Sequence, residues 1–316
     1  MAILRNPFVV AFAFLYVLAA TALVTTGVYS LAEPLFMLAI LGVTLPTIAY
    51  LLCRRIEPLV VRCGGERREI LVTFALVVIV VLYLVWGGER IDALVYGVFE
   101  KTPRLDFFLT IAKKVLVFVV IPYVVLSTLF GYRWRDFGFV GNLKQAMTPR
   151  VLLLMAVFFL LYFAIQFLVG QAAQPVFRGD FPALTVILGG VLIYATLIIE
   201  VGLVEEFFFR AVLQTRLAAW LQSEAAGVVM MSLIFGLAHA PGLYLRGAGA
   251  VTELGATPGA VSVLAYSIAI LSLAGVAFGV IWAMTRNIYA LILIHAWVDT
   301  LPGLPEFIET FGLGGK

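Results

Sequence analysis

Residues 204–210, Val-Glu-Glu-Phe-Phe-Phe-Arg, interrupt an apolar run that begins near Phe181. Glu205 and Glu206 place two adjacent carboxylates here, and Arg210 adds a guanidinium about one helical turn later. A charged side chain at the depth of a bilayer costs at least about 2.5–3.5 kcal/mol. Three such charges in one short stretch therefore indicate a functional site.

The amino-acid composition indicates a membrane protein. Of the 316 residues, 63% are hydrophobic and 12% are charged, whereas about a quarter of the residues in soluble domains are charged. The mean hydropathy is +1.11, and several apolar stretches reach the roughly 20 residues that cross a bilayer as a helix. The predicted fold is all-α, a polytopic transmembrane helix bundle in contact with membrane lipid. The net charge of +3 is small and dispersed, which argues against a nucleic-acid partner.

Apolar stretches separated by short loops predict eight or nine membrane helices. The expected bounds are Phe8–Tyr29, Leu35–Cys53, Ile70–Trp86, Phe107–Phe130, Val151–Gly170, Phe181–Leu221, Gly227–Ala240, Val261–Met284 and Ile288–Leu301. The sixth stretch exceeds one crossing, so it is expected to be broken or strongly tilted, with Gly189-Gly190 or Gly202 as break points. Pro302 is expected to end the last helix.

The distribution of Lys and Arg among the loops predicts the orientation of the chain. When the N-terminus is placed in the cytosol, the inner loops carry more Lys and Arg than the outer loops. Membrane proteins favour this arrangement. The chain is therefore predicted to be a multi-pass protein of the cell membrane with a cytosolic N-terminus.

The only two histidines of the chain, His239 and His295, also lie in apolar segments. With a rise of about 1.5 Å per residue, both histidines and Glu205 fall at similar depths below the inner face. We therefore predict that these three side chains converge in one layer of the bundle. They would line a polar catalytic cavity that opens to the cytosolic side.

Helical spacing predicts which of these side chains face one another. Glu206 and Arg210 are four residues apart, in the order that favours an ion pair. Glu205 is turned about 100° away from Glu206, so Glu205 is the acid expected to exchange a proton. His295 and Asp299 are also four residues apart and share a face.

Three further charges lie in the apolar stretches. Glu200 precedes Glu205 by five residues, which on an α-helix turns it away by about 140°, and no catalytic role is expected for it. Lys113 and Lys114 lie in the fourth span. They are expected to snorkel to an interface, or to lie at the end of a helix that begins later. The alternative is a cationic lining for a substrate carboxylate.

Carboxylate and imidazole groups at bilayer depth suit proton-transfer chemistry. A carboxylate can take a proton from water, and an imidazole can donate a hydrogen bond to a developing oxyanion. The implied reaction is hydrolysis of an amide inside or beside the membrane. The alternative is that these groups bond to one another only to hold the helices together.

The motifs at these residues resemble those of the type II CAAX prenyl endopeptidases and of the bacteriocin-processing and immunity proteins grouped with them. The family motifs are E-E-x-x-x-R, F-x-x-x-H and H-x-x-x-N or a relative. Here they stand as Glu205-Glu206-Phe-Phe-Phe-Arg210, Phe235-Gly-Leu-Ala-His239 and His295-Ala-Trp-Val-Asp299. The resemblance covers roughly Phe181–Leu304.

The resemblance implies a role for each matching residue. Glu205 would be the general base that activates water, and His239 would help to bind that water. His295 would help to form the oxyanion hole, while Glu206 and Arg210 would brace the site. Members of the family cut membrane-associated proteins near a lipid-modified cysteine or process peptides, without a metal or other cofactor, and others act in regulation.

The third motif departs from the family pattern because Asp299 stands where the endopeptidases have Asn. An amide can donate a hydrogen bond to an oxyanion, whereas an ionised carboxylate cannot. Either Asp299 is protonated, or it orients His295 by accepting its N–H. We favour orientation, in which case another group must supply the missing donor.

The resemblance also suggests how the chain is organised. Residues 1–150 would be N-terminal transmembrane helices that vary within the family, residues 151–304 the catalytic transmembrane core, and residues 305–316 a C-terminal tail.

Two other functions remain open at this point. Glu205, His239 and His295 form a two-histidine, one-carboxylate set that could hold zinc in an intramembrane metalloprotease. The polar cluster could also be structural, in a non-catalytic membrane scaffold, immunity or regulatory protein of the same fold.

Overall fold

The computed structural model describes residues 5–247, 251 and 254–314. Within these residues the chain forms helices and no strand. Those long and apolar enough to cross a membrane are α1 Pro7–Thr25, α2 Ala32–Cys53, α3 Arg67–Tyr96, α4 Pro103–Phe130, α5 Pro149–Val169, α6 Ala183–Trp220, α7 Glu224–Arg246, α8 Ala260–Thr285 and α9 Ile288–Phe311. The prediction of a polytopic helical bundle is confirmed.

Five of these helices have a polar N-cap residue. In each, the side chain before the helix accepts a hydrogen bond from a backbone N–H of the first turn, which would otherwise be unsatisfied. Proline follows the cap in three of them, where its missing N–H costs nothing. The caps are Asn6 and Thr148, which precede Pro7 and Pro149, Thr102, which precedes Pro103, and Ser223 and Asn287.

The outer faces of the helices are apolar. Large hydrophobic side chains such as Phe14, Leu160 and Leu184 are more than half exposed. Soluble monomers rarely expose so much apolar surface in continuous patches. Since the helices that carry these side chains are long enough to span a bilayer, the exposed faces are lipid-facing, and the chain is a multi-pass membrane protein.

Contacts within the chain divide it into two compact units. The first contains Met1–Gly88 and Phe209–Arg286, and the second contains Glu89–Phe208 and Asn287–Lys316. The chain therefore passes from one unit to the other within α6, between Phe208 and Phe209.

The core of the first unit includes close packing of α7 on α8. Gly236 lies so near the backbone of α8 that a Cβ atom there would stand 2.3 Å from the carbonyl oxygen of Ser267. On the other side of α8, Ala269 and Leu273 pack with Tyr16 and Leu23 of α1.

The core of the second unit forms where α9 packs on the first part of α6. Ile193 and Leu197 of α6 contact Leu304 and Ile308 of α9. This packing explains why α9 continues through Pro302 and Pro305 to Phe311, so the prediction that Pro302 ends it was wrong. Proline costs the helix about 3 kcal/mol or more, but the buried side chains beyond it offset that loss.

The expected break in α6 at Gly189-Gly190 was also wrong, because both glycines lie inside the regular α-helical segment Ala183–Leu197. Gly202 lies in the segment Ile198–Leu203, which winds as a π-helix without interrupting the helix. Gly202 instead permits close packing: a Cβ atom there would stand 2.4 Å from the carbonyl oxygen of Ile292 on α9.

Gly202→Ala is therefore expected to lower the free energy of unfolding by about 1–3 kcal/mol, because α6 and α9 must separate to make room. Gly190→Ala is the matched control, since a Cβ atom at Gly190 meets nothing within 4 Å. Denaturation of both variants in the same detergent measures the difference. Equal stability of the two variants would contradict the close packing of Gly202 against α9.

Candidate active site

The helix that carries the two glutamates changes its winding around them. Ile198–Leu203 and Glu206–Gln214 are π-helical, so that N–H groups bond to carbonyls five residues back. π-helical turns occur frequently at functional sites because they re-aim side chains. Here the two segments flank Val204 and Glu205.

His295 of α9 lies against both glutamates, within the second unit. Its Nδ1 is 2.5 Å from Oε1 of Glu206, and its Nε2 is 3.8 Å from Oε2 of Glu205. The first distance is that of a short hydrogen bond, whereas the second is too long for a direct hydrogen bond. The sequence prediction that His295 and the acidic pair meet agrees with these contacts.

Burial differs between the two glutamates. The side chain of Glu206 is fully buried, whereas that of Glu205 is 17% exposed. The short contact between Oε1 of Glu206 and Nδ1 of His295 fixes the orientation of the imidazole ring. Of the two glutamates, Glu205 is therefore the one whose side chain is accessible.

Asp299 lies one turn after His295 on α9 and is half-buried. Asp299 is predicted from the sequence to orient His295, but Glu206 makes the close contact to Nδ1 of His295. The role of Asp299 therefore stays a prediction.

His239 lies in the first unit, where the regular part of α7 ends. Its Nδ1 is 2.8 Å from the carbonyl oxygen of Phe235, and its ring lies 4.8 Å from the Phe235 ring. A carbonyl only accepts hydrogen bonds, so Nδ1 carries the proton and Nε2 of the neutral ring carries a lone pair. The spacing of the F-x-x-x-H motif thus sets the tautomer of His239. Its convergence with Glu205 stays a prediction.

Arg210 is fully buried in the first unit. Its guanidinium lies 4.6 Å from the centre of the Phe235 ring and 5.4 Å from that of Phe278. Arg stacks favourably on aromatic rings when water is excluded. The motif residue Phe235 therefore contacts both Arg210 and His239. The ion pair of Arg210 with Glu206 stays a prediction.

Sequence reasoning missed the charged pairs that α4 makes in the second unit. Lys114 bonds to Glu200 at 2.9 Å, and Lys113 bonds to Asp92. The expectation that the fourth helix begins after both lysines was wrong, because α4 begins at Pro103. The expectation that the lysines snorkel to an interface stays a prediction. Opposite charges in apolar helices are the signal that could have suggested these pairs.

In the described parts of the chain, no group of three or more His, Cys, Asp or Glu side chains has an arrangement that could hold a metal ion.

One comparison with known proteins identifies the family of this region. Residues 187–301 match the model described as type II CAAX prenyl endopeptidase Rce1-like. No curated protein and no solved structure gives a significant match to the chain. The matched region contains all three motifs. The family is one of proteases, and this match supports the resemblance of residues 187–301 to the type II CAAX prenyl endopeptidase (Rce1-like) family.

Proposed function

We propose that this protein is an intramembrane endopeptidase that hydrolyses a peptide bond in a membrane-associated protein or peptide by means of a water activated by Glu205. The substrate would be a prenylated, CAAX-like protein end or another membrane peptide. The observation that carries the proposal is the contact of His295 with both Glu205 and Glu206, inside the region that matches the family.

Glu205 is the general base of the proposed reaction. It takes one proton from water while the hydroxyl oxygen forms a bond to the scissile carbonyl carbon. Its partial exposure supports this role, because water can reach its carboxylate. When the C–N bond breaks, the protonated Glu205 returns its proton to the leaving amine.

The two histidines have different tasks in this proposal. His239 accepts a hydrogen bond from the attacking water at Nε2, because Nδ1 is held by the Phe235 carbonyl. His295, with its Nδ1 held by Glu206, donates from a protonated Nε2 to the oxyanion that forms on the carbonyl oxygen. Asp299 orients His295, and Arg210 braces the site together with Glu206.

The test is to incubate the purified protein in lipid nanodiscs with membrane peptides, both prenylated and unmodified, and to identify products by mass spectrometry. In water enriched in oxygen-18, the proposal predicts one heavy oxygen atom in the new carboxylate of the product. Cleavage is expected to survive exhaustive chelation, and its loss on chelation with recovery on adding zinc would favour the metalloprotease. Absence of products from every peptide would favour a non-catalytic scaffold or regulatory protein.

A further inference from the structure

A cavity of about 340 Å³ lies in the first unit and is not used by the proposed reaction. It is lined by the last turn of α6, the first residues of α7 and the residue that follows α8. Since these are the ends of membrane-spanning helices, the cavity lies at the level of the lipid headgroups. Trp220 at the end of α6 is 48% exposed, and tryptophan is enriched at this level. Ligand pockets typically measure about 300–1,000 Å³, so a headgroup-sized molecule fits.

Two residues that line the cavity have a backbone conformation that side chains rarely adopt. Gln222 and Arg286 both have a φ of 51°, and in the described part of the chain every other residue with a positive φ is a glycine. Each of the two follows the end of a helix, where glycine is usual because it has no Cβ atom. Residues held in such conformations cluster at ligand sites. Their presence in one cavity indicates that these side chains have a task there.

The cavity contains a cation and an anion that contact each other. Arg286 donates a hydrogen bond from Nη2 to Oε1 of Glu224, and the two side chains are 15% and 53% exposed. The buried Nη1 of Arg286 has no hydrogen-bond partner among the described residues. A guanidinium can hold a phosphate with several N–H groups, and a carboxylate accepts hydrogen bonds from an ammonium group. The pair is therefore complementary to a molecule that carries both groups.

The surroundings of the pair favour a phosphate beside Arg286. The cavity borders the beginning of α7, where the backbone N–H groups and the helix dipole attract anions. The loop between α2 and α3 is fixed on another side, because the N–H of Leu59 bonds to the carbonyl oxygen of Thr285 at 2.9 Å. In this loop the exposed Arg62 precedes the lining residue Cys63 and adds positive charge near the cavity.

We propose that this cavity binds a phosphate ester that also carries a primary ammonium group, with the phosphate on Arg286 and the ammonium on Glu224. The ligand inserts between the two side chains and replaces their mutual contact with two new ones. At headgroup level, a phosphatidylethanolamine of the bilayer supplies this chemistry, and soluble phosphoethanolamine carries the same groups. Binding requires no peptide cleavage, so it can be tested separately from the proposed function.

Native mass spectrometry of the purified protein in detergent measures the binding. The probes are phosphatidylethanolamine and phosphatidylcholine with identical acyl chains. Both carry the phosphate, but the trimethylated nitrogen of choline has no N–H to donate. The site is expected to prefer phosphatidylethanolamine by about 10-fold, the contribution of a charge-assisted hydrogen bond. Glu224→Gln is expected to remove most of this preference.

The variant Arg286→Gly separates binding from folding. Glycine suits the left-handed backbone at this position, and losing a contact with the exposed Glu224 costs little, so the melting temperature is expected not to fall. Affinity for both lipids is expected to fall about 10-fold, because both carry the phosphate. The matched control, Arg178→Gln with Asp180→Asn, removes an exposed ion pair of the second unit and is expected to leave both affinities unchanged.

Equal affinity of the original protein for the two lipids, or binding of neither, would overturn the proposal. Unchanged affinity in Arg286→Gly, or loss of the preference in the control protein, would overturn it as well. Competition with soluble phosphoethanolamine then identifies the source of the ligand. Displacement of the lipid at equal concentration would assign the site to a soluble phosphate ester, whereas displacement only in large excess would assign it to the lipid. Both results support binding of a phosphate and an ammonium group by Arg286 and Glu224.

Discussion

Replacing Glu205 with glutamine is expected to slow peptide cleavage by about 10²- to 10⁴-fold, the contribution of a positioned general base. Glutamine has nearly the same shape but cannot take a proton from water. Because the Glu205 side chain is partly exposed, the variant is expected to fold and insert normally. The measurement is the single-turnover cleavage rate, with the melting temperature determined on the same samples.

Glu306→Gln is the matched control for this experiment. Glu306 is exposed on α9, so the same chemical change there is expected to leave the cleavage rate within about twofold, as surface substitutions do. A Glu205→Gln protein that cleaves as fast as this control would contradict the role of Glu205 as the general base.

Removal of Glu69 is expected to destabilise the protein strongly. Oε1 of Glu69 lies 2.9 Å from Nε of Arg216, and both side chains are almost completely buried. Oε2 of Glu69 accepts hydrogen bonds from the backbone N–H groups of Gly64 and Gly65. Removing one partner of such a buried pair costs about 3–5 kcal/mol, because the other charge stays buried. The measurement is the free energy of unfolding of Glu69→Ala in detergent.

An exposed pair provides the comparison. Arg178 and Asp180 are 2.9 Å apart and largely exposed, and an exposed pair contributes at most about 1 kcal/mol. The double variant Glu69→Leu with Arg216→Met is expected to be more stable than either single variant, because it leaves no buried charge unpaired. If Glu69→Ala costs no more than Asp180→Ala, the buried pair does not stabilise this part of the fold.

The fold class could be predicted from the sequence because a bilayer restricts which secondary structures can cross it. Apolar stretches of sufficient length have to be helices there, since every backbone group must bond within its own segment. Motif spacing also placed His295 beside the acidic pair, a contact that the structure contains. Uniform α-helical geometry sufficed for these predictions.

The remaining features depend on local departures from that geometry and on packing between helices. A rotation of 100° per residue could not anticipate the π-helical segments of α6 on either side of Glu205. The glycine at Gly202 serves close packing on α9 instead of a break. The helix α9 passes Pro302 because side chains beyond it are buried. The packing of Gly202 and the continuation of α9 both depend on contacts with residues distant in sequence.

The central proposal, that Glu205 and His239 act on the same water, is tested most directly by cross-linking. Glu205→Cys and His239→Cys are combined in a chain whose native thiols are removed by Cys53→Ala and Cys63→Ala, and a bis-methanethiosulfonate reagent with an ethylene spacer is added. Ile187→Cys, at an exposed position of α6, replaces Glu205→Cys in the control. A cross-link in the first protein and none in the control is the predicted result. Failure of the Glu205 and His239 positions to cross-link, when each thiol alone reacts with the reagent, would contradict the shared site.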